Sequence, residues 1–295
     1  MISVLAPAKI NLFLRVCGKD DRGYHHLDSL IVFTKFGDRL TIELAGDDAL
    51  SVKGEFSAAL DDTAIAGPGF NRQTPNNIGA DNLVMRALNG YRQAGGIIGG
   101  LSITLEKNIP VGAGLGGGSA DAAALLRALN TLSSAPLEAA AMFKLAASLG
   151  ADVPVCLAGG CQRIAGIGEA MTPFTMPETG AILLANPRIP LSTKDVFTHS
   201  GVRYSGVAGS LDGLDAAGIV ALGNDLTPAA LALAPEIRFC LEIINATPGV
   251  KCAAMSGSGA SCFALFDYPD DASAAAIQLE TAGYWAIASQ IHHTD

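Results

Sequence analysis

The chain has 295 residues and a mass of 30.1 kDa, enough for one large domain or two. With 49% apolar and 16% charged residues, it can bury a sizeable core, which excludes disorder as a global description. Its net charge of −9 and pI near 5.0 argue against nucleic acid or an anionic membrane as partner, since either would need a basic face to neutralise phosphates. An acidic small ligand in a locally positive pocket stays compatible with this balance. Mean hydropathy is +0.35, yet no run approaches the ~18 apolar residues of a spanning helix. Met1–Ala8 carries neither a basic stretch nor a long apolar one before Lys9, so a cytoplasmic protein without a secretory signal is expected.

In chain order, Ile2–Val16 reads as an apolar segment with Lys9 and Asn11 embedded in it. Leu30–Phe36 and Arg39–Leu44 read as two strands, the second alternating Leu40, Ile42 and Leu44 with polar neighbours. Gly46–Gly79 reads as an irregular connection. Asp81 is placed to cap a helix in which Val84, Ala87, Leu88 and Tyr91 share one face, and Gly95–Gly100 ends it. Leu101–Lys107 alternates as a strand and leads into the richest glycine loop of the chain, after which Ala122, Leu125, Leu126 and Leu129 continue as a helix. Ser134–Leu149 predicts a second helix, with Pro136 in its first turn, Gly150 as its stop and Asp152 just beyond. Past Gly160 the character changes. A short strand at Ala181–Ala185 is followed by a looser span to Gly223, and helices open at Thr227-Pro228 and Pro235. The end reads as strand Lys251–Ala254, loop Ser256–Gly259, strand Ser261–Phe266, helix Ala272–Ala282 and a last strand. The change places a domain boundary near residue 160–165.

Cys17, Cys156, Cys161, Cys240, Cys252 and Cys262 include no C-x-x-C pair and match no zinc module or disulfide framework, so they read as reduced thiols. Of His25, His26, His199, His292 and His293, the last two sit in a polar tail. No metal bound directly by Cys or His is expected.

Glycine is the informative excess, at 34 of 295 residues. Gly112, Gly114, Gly116, Gly117 and Gly118 lie between a strand and a helix. Without Cβ atoms their N–H groups can turn inward on an anion, and the helix start adds its own free N–H groups and positive dipole end. Ser119 adds a hydroxyl. Known cradles fit poorly. Gly112-x-Gly114-x-x-Gly117 satisfies the dinucleotide pattern, but the acidic residue at the right distance, Glu138, falls in a predicted helix. Ser119 is not preceded by the lysine of a P-loop, and the chain lacks both H-R-D and D-F-G.

The run Pro110-Val111-Gly112-Ala113-Gly114-Leu115-Gly116-Gly117-Gly118-Ser119-Ala120 resembles the ATP loop of the GHMP kinases, the small-molecule kinases grouped with galactokinase, homoserine kinase, mevalonate kinase and phosphomevalonate kinase. Ala6-Pro-Ala-Lys-Ile-Asn-Leu12 resembles that family's N-terminal substrate-side motif, and Met255-Ser-Gly-Ser-Gly-Ala260 its C-terminal glycine loop. Gly23-Tyr-His25, Asn82-Leu-Val84, Gly150-Ala-Asp-Val-Pro154, Gly166-Ile-Gly-Glu169 and Asn224-Asp-Leu226 are similar to the branch that phosphorylates a cytidine-diphosphate-linked methylerythritol in non-mevalonate isoprenoid synthesis. One departure is Asp20-Asp-Arg22, where that branch usually shows Arg-x-Asp.

The resemblance implies an α+β fold of two domains, residues 1–162 binding ATP and 163–295 binding substrate, with both ligands in the cleft between them. It implies transfer of the ATP γ-phosphoryl group to a 2-hydroxyl, with Mg2+ entering with the nucleotide and no dedicated protein metal site. Asp152 is then the general base, and Lys9 holds it ionised and stabilises the moving charge. The loop from Pro110 to Ala120 holds phosphates, with Ser119 or Ser258 in reach of a phosphate or the magnesium. Asn11, Gly257, Ser258 and Gly259 contact the substrate, and Tyr24, His25 and Phe197 form the walls for its pyrimidine. On the residues alone each has a plainer alternative. Asp152 suits a helix cap, Lys9 a snorkelling strand residue, Asn11 a backbone-bonded strand end, and Tyr24 and His25 the close of a turn. A homoserine- or mevalonate-type kinase, a non-catalytic nucleotide-binding member of the fold and a dinucleotide-dependent oxidoreductase also stay open.

Overall fold

The computed structural model describes residues 1–21, 23–61, 82–201 and 204–292. The chain opens with two long strands, β1 (Ile2–Lys19) and β2 (His25–Ala45), which pair with each other. The turn between them is held at Asp20, whose carbonyl accepts from Gly23 N and whose Oδ1 accepts from Tyr24 N, each at 2.9 Å. The two strands expected at Leu30–Phe36 and Arg39–Leu44 are one strand. Gly37 between them serves no turn: a Cβ there would lie 2.1 Å from the Ala6 carbonyl oxygen, so glycine permits close approach to β1.

Within the connection expected to be irregular lie β3 (Ala49–Lys53) and a short helix, α1 (Ala58–Asp61). The remainder of that connection, residues 62–79, and the expected cap Asp81 fall outside the described residues, as does Arg22. The observed cap of α2 (Leu83–Gln93) is Asn82, whose side chain accepts from Val84 N at 2.9 Å. The buried face of α2 is Val84, Ala87, Leu88 and Tyr91, as the spacing predicts. Next come β4 (Gly100–Glu106), α3 (Gly117–Leu132), α4 (Ala139–Leu149) and α5 (Val153–Ala158). Helix α4 starts later than the expected Ser134. Pro136 disfavours helical backbone before it, and Asn130 Oδ1 captures Leu137 N at 2.7 Å. Gly150 follows α4 with φ 169°, ordinary extended backbone rather than a left-handed stop.

The rest of the chain forms β5 (Gln162–Gly166), β6 (Ala170–Pro173), β7 (Ala181–Asn186), α6 (Thr193–His199), α7 (Ala216–Val220), α8 (Thr227–Leu233), α9 (Glu236–Asn245), β8 (Val250–Met255), β9 (Cys262–Phe266), α10 (Pro269–Thr281) and β10 (Trp285–Ser289). Strands β5 and β6 and helices α6 and α7 fall in spans for which the sequence suggested no element.

The chain forms two compact units. The first comprises residues 1–8, 37–111 and 117–158. Here β4 lies between the C-terminal half of β2, antiparallel, and β3, parallel. Leu101, Ile103 and Leu105 of β4 are buried, so the period-2 pattern does face a core. Helix α3 is buried from Ala120 to Leu126, which its run of alanines and leucines permits. The second unit comprises residues 9–36, 112–116 and 159–295. In it the first half of β2 pairs with β5, and β5 with β6. A separate four-stranded sheet runs β10-β7-β9-β8, all antiparallel. Strands β7 and β9 are buried at every residue, and Ile237, Cys240 and Ile244 of α9 and Ala272, Ala275 and Leu279 of α10 join their core. Among the described residues no helix is long and apolar enough to cross a membrane.

Candidate active site

Within the glycine loop, apolar residues alternate with glycines. Ala113 and Leu115 are buried and pin the segment, while Gly112, Gly114 and Gly116 take left-handed backbone at φ 68°, 75° and 65°. Only glycine suits Gly114, because a Cβ there would lie 2.7 Å from both the Ser256 and Gly259 carbonyl oxygens. The two glycine loops singled out in the sequence are therefore packed backbone to backbone. Ser261 N donates to Ala113 O at 3.1 Å, and Ser256 Oγ to Gly114 O at 3.4 Å. Lys9 N donates to Leu115 O at 2.9 Å, and the Lys9 side chain lies 3.1 Å from where a Gly116 Cβ would be. Lys9 is buried in β1, so it is no snorkelling surface lysine.

Helix α3 begins at Gly117, so the N–H groups of its first four residues have no partner within the helix, and its positive end faces the same point. Gly118 is exposed, with no atom within 4 Å of the place a Cβ would occupy, and Ser119 is half-buried beside it. This is open space over free donors, the form of an anion cradle.

Beneath it lies a group that sequence reasoning missed. Lys107 Nζ is bonded to Asp38 Oδ2, and to Asp121 Oδ2 at 2.8 Å, with all three residues buried. Asp38 Oδ1 also accepts from Asn108 N at 2.6 Å and Ile109 N at 2.8 Å. The cluster abuts the start of α3, since a Gly117 Cβ would sit 3.3 Å from Asp38 Oδ2 and from Lys107 Nζ. Burial works against the Lys107 charge, but Asp121 and Asp38 more than offset it and raise its pKa. Burial first, with Asp38 adding to it and Lys107 opposing, pushes Asp121 up to about 7. Asp121 Oδ1 accepts no hydrogen bond among the described residues. Only Asp121, between Ala120 and Ala122, carried a sequence signal as a charge among apolar neighbours; Asp38 and Lys107 have polar or glycine neighbours and gave none.

Asn11 is also buried. Its Nδ2 donates to Ser29 Oγ at 2.8 Å and its backbone N to Ser256 Oγ at 3.1 Å, while its Oδ1 has no partner among the described residues. A buried acceptor left open beside a glycine loop is costly unless a ligand donor fills it. In the C-terminal loop, Ser258 Oγ and Thr193 Oγ1 lie 2.8 Å apart, and Asn224 Nδ2 donates to Met255 O at 3.0 Å and Gly257 O at 2.8 Å. Asn224 thus holds the loop's shape from behind. Gly257 and Gly259 take φ 58° and 83°.

Tyr24 is exposed. His25 stacks on Phe197 of α6, with ring centroids 4.6 Å apart and planes 21° from parallel. The structure thus joins two of the expected aromatic walls across 172 residues of chain. Rings this close leave no room for a base between them. Burial, then Lys19, lowers the His25 pKa, which favours the neutral imidazole, a form that can both donate and accept.

Asp152 is half-buried at the start of α5, where its carbonyl accepts from Cys156 N at 3.1 Å. Lys9 belongs to the second unit and Asp152 to the first. Among the described residues no three His, Cys, Asp or Glu side chains gather as a metal site.

Comparison with known proteins gives a consistent picture. A model of the GHMP kinases N terminal domain matches residues 82–160, and one of the GHMP kinases C terminal domain matches residues 212–284. The chain is 43% identical to the 4-diphosphocytidyl-2-C-methyl-D-erythritol kinase of Parvibaculum lavamentivorans, with 96% of each chain covered. It is 45% identical to that of Cereibacter sphaeroides strain ATCC 17029, with 97% of each covered. A crystal structure of 4-(cytidine 5'-diphospho)-2C-methyl-D-erythritol kinase superposes with TM-score 0.80 at 32% identity, over 99% of this chain and 100% of that one. A mevalonate kinase superposes at 0.65 with 12% identity, covering 100% of each, a likeness of fold alone.

Proposed function

The chain belongs to the GHMP kinase family, and from that premise we propose that it transfers the γ-phosphoryl group of ATP to the 2-hydroxyl of 4-diphosphocytidyl-2-C-methyl-D-erythritol. The observation that carries this reading is the likeness to kinases of that name at 43–45% identity across nearly the whole chain. The site's own chemistry supports it.

Phosphoryl transfer asks for positioning and charge stabilisation more than covalent help. The loop from Pro110 to Ala120 and the open start of α3 suit the nucleotide's phosphates. Magnesium, entering with ATP, would neutralise phosphate charge, and the Ser119 hydroxyl is the group at hand for it or for a phosphate. Asp152 takes the proton of the attacking hydroxyl, and Lys9 stabilises charge on the group in flight. Asn11 Oδ1 accepts from a substrate hydroxyl, which removes the cost of its unfilled acceptor. Tyr24, His25 and Phe197 take the cytosine ring, and the Gly257-Ser258-Gly259 backbone lines the substrate side.

The test is ADP release by the purified protein with ATP and magnesium, offered 4-diphosphocytidyl-2-C-methyl-D-erythritol, homoserine or mevalonate. Turnover with the first alone is expected. Turnover with either of the others, or ATP binding without turnover on any, overturns the proposal.

A further inference from the structure

Asp28, on β2, is fully buried and paired. Arg163 of the neighbouring strand β5 meets it with two parallel bonds, Nε to Oδ1 and Nη2 to Oδ2, both at 3.0 Å. The remaining donors of the guanidinium reach a third element, the segment 204–209. Nη2 donates to Ala208 O at 2.7 Å and Nη1 to Gly209 O at 3.2 Å. Ala208 N in turn donates to Asp28 Oδ2 at 2.7 Å. Ala208 is therefore gripped by its N–H and its C=O at once, as a strand residue is gripped by a ladder partner. The same segment is tied to β1, where Ser205 N donates to Val16 O at 2.9 Å and Arg15 Nη1 to Gly206 O at 3.1 Å.

This segment has little apolar reason to stay down. Tyr204, Gly206, Val207 and Gly209 are exposed, and only Ala208 is buried. What it is attached to gives the arrangement meaning. Upstream it continues from α6, which carries Phe197, eleven residues before Ala208. Asp28 follows His25 by three residues on β2. His25 on its strand and Phe197 on its helix are thus each near in sequence to one member of this cluster, Asp28 and Ala208 respectively.

We infer that Arg163 is a positioning residue for the base-binding rings: by clasping Asp28 and Ala208 together, it fixes the helix bearing Phe197 against the strand bearing His25. Arginine suits the task because its planar fork serves a carboxylate and two carbonyls simultaneously, which the single ammonium of lysine does not. Full desolvation of Asp28 makes the pairing obligatory rather than decorative. The kinetic side of this inference rests on the reading of His25 and Phe197 as walls for the cytosine; the geometric side does not.

The experiment compares wild type, Arg163→Lys, and the double variant Asp28→Asn/Arg163→Gln, which keeps hydrogen-bonding side chains without leaving a buried charge alone. Phe197→Leu serves as the unstacked reference. The first measurement is the NMR shift of the His25 ring protons, assigned by their loss in His25→Gln. The Phe197 ring current displaces them in wild type, and both clasp variants are expected to move them toward the Phe197→Leu position. The second is steady-state kinetics. KM for the diphosphocytidyl substrate should rise roughly tenfold, the scale of one good hydrogen bond, with kcat and the KM for ATP unchanged. Unmoved His25 resonances in a folded clasp variant overturn the inference, as does an equal rise in both KM values. Failure of both variants to fold would make Arg163 a stability determinant and overturn it too. A wild-type protein inactive on the diphosphocytidyl substrate sinks the proposed function, and the ring shifts still decide the clasp.

Discussion

The same substitution four residues apart in the glycine loop should have opposite effects on stability. In Gly114→Ala the new residue must keep φ 75°, at ~1–2 kcal/mol for an L-residue in left-handed backbone. Its Cβ would also sit 2.7 Å from two carbonyl oxygens of the 256–259 loop, well inside ordinary contact. Those oxygens belong to backbone and cannot rotate away, so the overpacking cost of ~1–3 kcal/mol adds in full. A loss of about 2–5 kcal/mol follows, a fall in Tm of order 10 °C for a chain of this length. Gly118 lies in the first turn of α3 with nothing within 4 Å of its would-be Cβ. Alanine there gains helix propensity, at most ~1 kcal/mol, and Tm should hold or rise slightly. Its methyl nevertheless enters the open space above the free N–H groups, so ATP should bind more weakly. Thermal unfolding without ligand, together with calorimetric titration of ATP, separates the two effects. An unchanged Tm in Gly114→Ala, or a destabilised Gly118→Ala with normal ATP affinity, would refute the reasoning.

Three further outcomes are expected. Asp152→Asn, nearly isosteric, should lose ~10²–10⁴ in kcat with circular dichroism and both KM values preserved; near-normal turnover removes it as the base. His25→Ala should raise KM for the diphosphocytidyl substrate by the ~1–3 kcal/mol typical of a stacked base and leave the KM for ATP alone, and an equal change in both would argue against the assignment. Asp121→Asn tests the buried triad through pH. With a folded value of about 7 against an ordinary 3.8, Asp121 contributes stability that is complete below about pH 4 and lost as pH rises through 7. The stability of wild type, read from its urea midpoint, should therefore fall relative to the variant as pH rises from about 4 to 7, by about 3 kcal/mol. Parallel pH profiles would show that the native protein does not hold a proton there.

What the sequence disclosed and what it hid follow the range of the interactions involved. The inward face of β4, the buried stripe of α2 and the cradle at the start of α3 depend on neighbours a few residues apart, and period and glycine content suffice to read them. The single strand β2 reads as two because nothing in one dimension distinguishes a glycine that admits a crossing backbone, as Gly37 does, from one that makes a turn. Strands β3, β5 and β6 are too short to show a period. The triad draws on Asp38, Lys107 and Asp121, and the clasp on Asp28, Arg163 and Ala208. Each member looks ordinary until the fold removes water from around it. At the candidate site the glycine loops, Lys9, Asn11 and Asp152 were legible as residue types in known motifs. The contact between His25 and Phe197, and hence the loss of space between their rings, was not.

The long early strands also have a consequence for how the chain is made. The first-unit end of β2 can find β4 soon after emerging, but Asp28 waits 135 residues for Arg163, and Lys35 waits 255 residues for Gln290. At ~5–20 residues per second, the second wait lasts roughly 10–50 s at the ribosome. Strand β5 can cover the start of β2 after the first wait, but until then the apolar hairpin stands with that flank unpaired, the condition in which strand edges find wrong partners. The yield of native protein in a producing cell should therefore follow elongation rate and chaperone supply more closely than the stability of the finished fold.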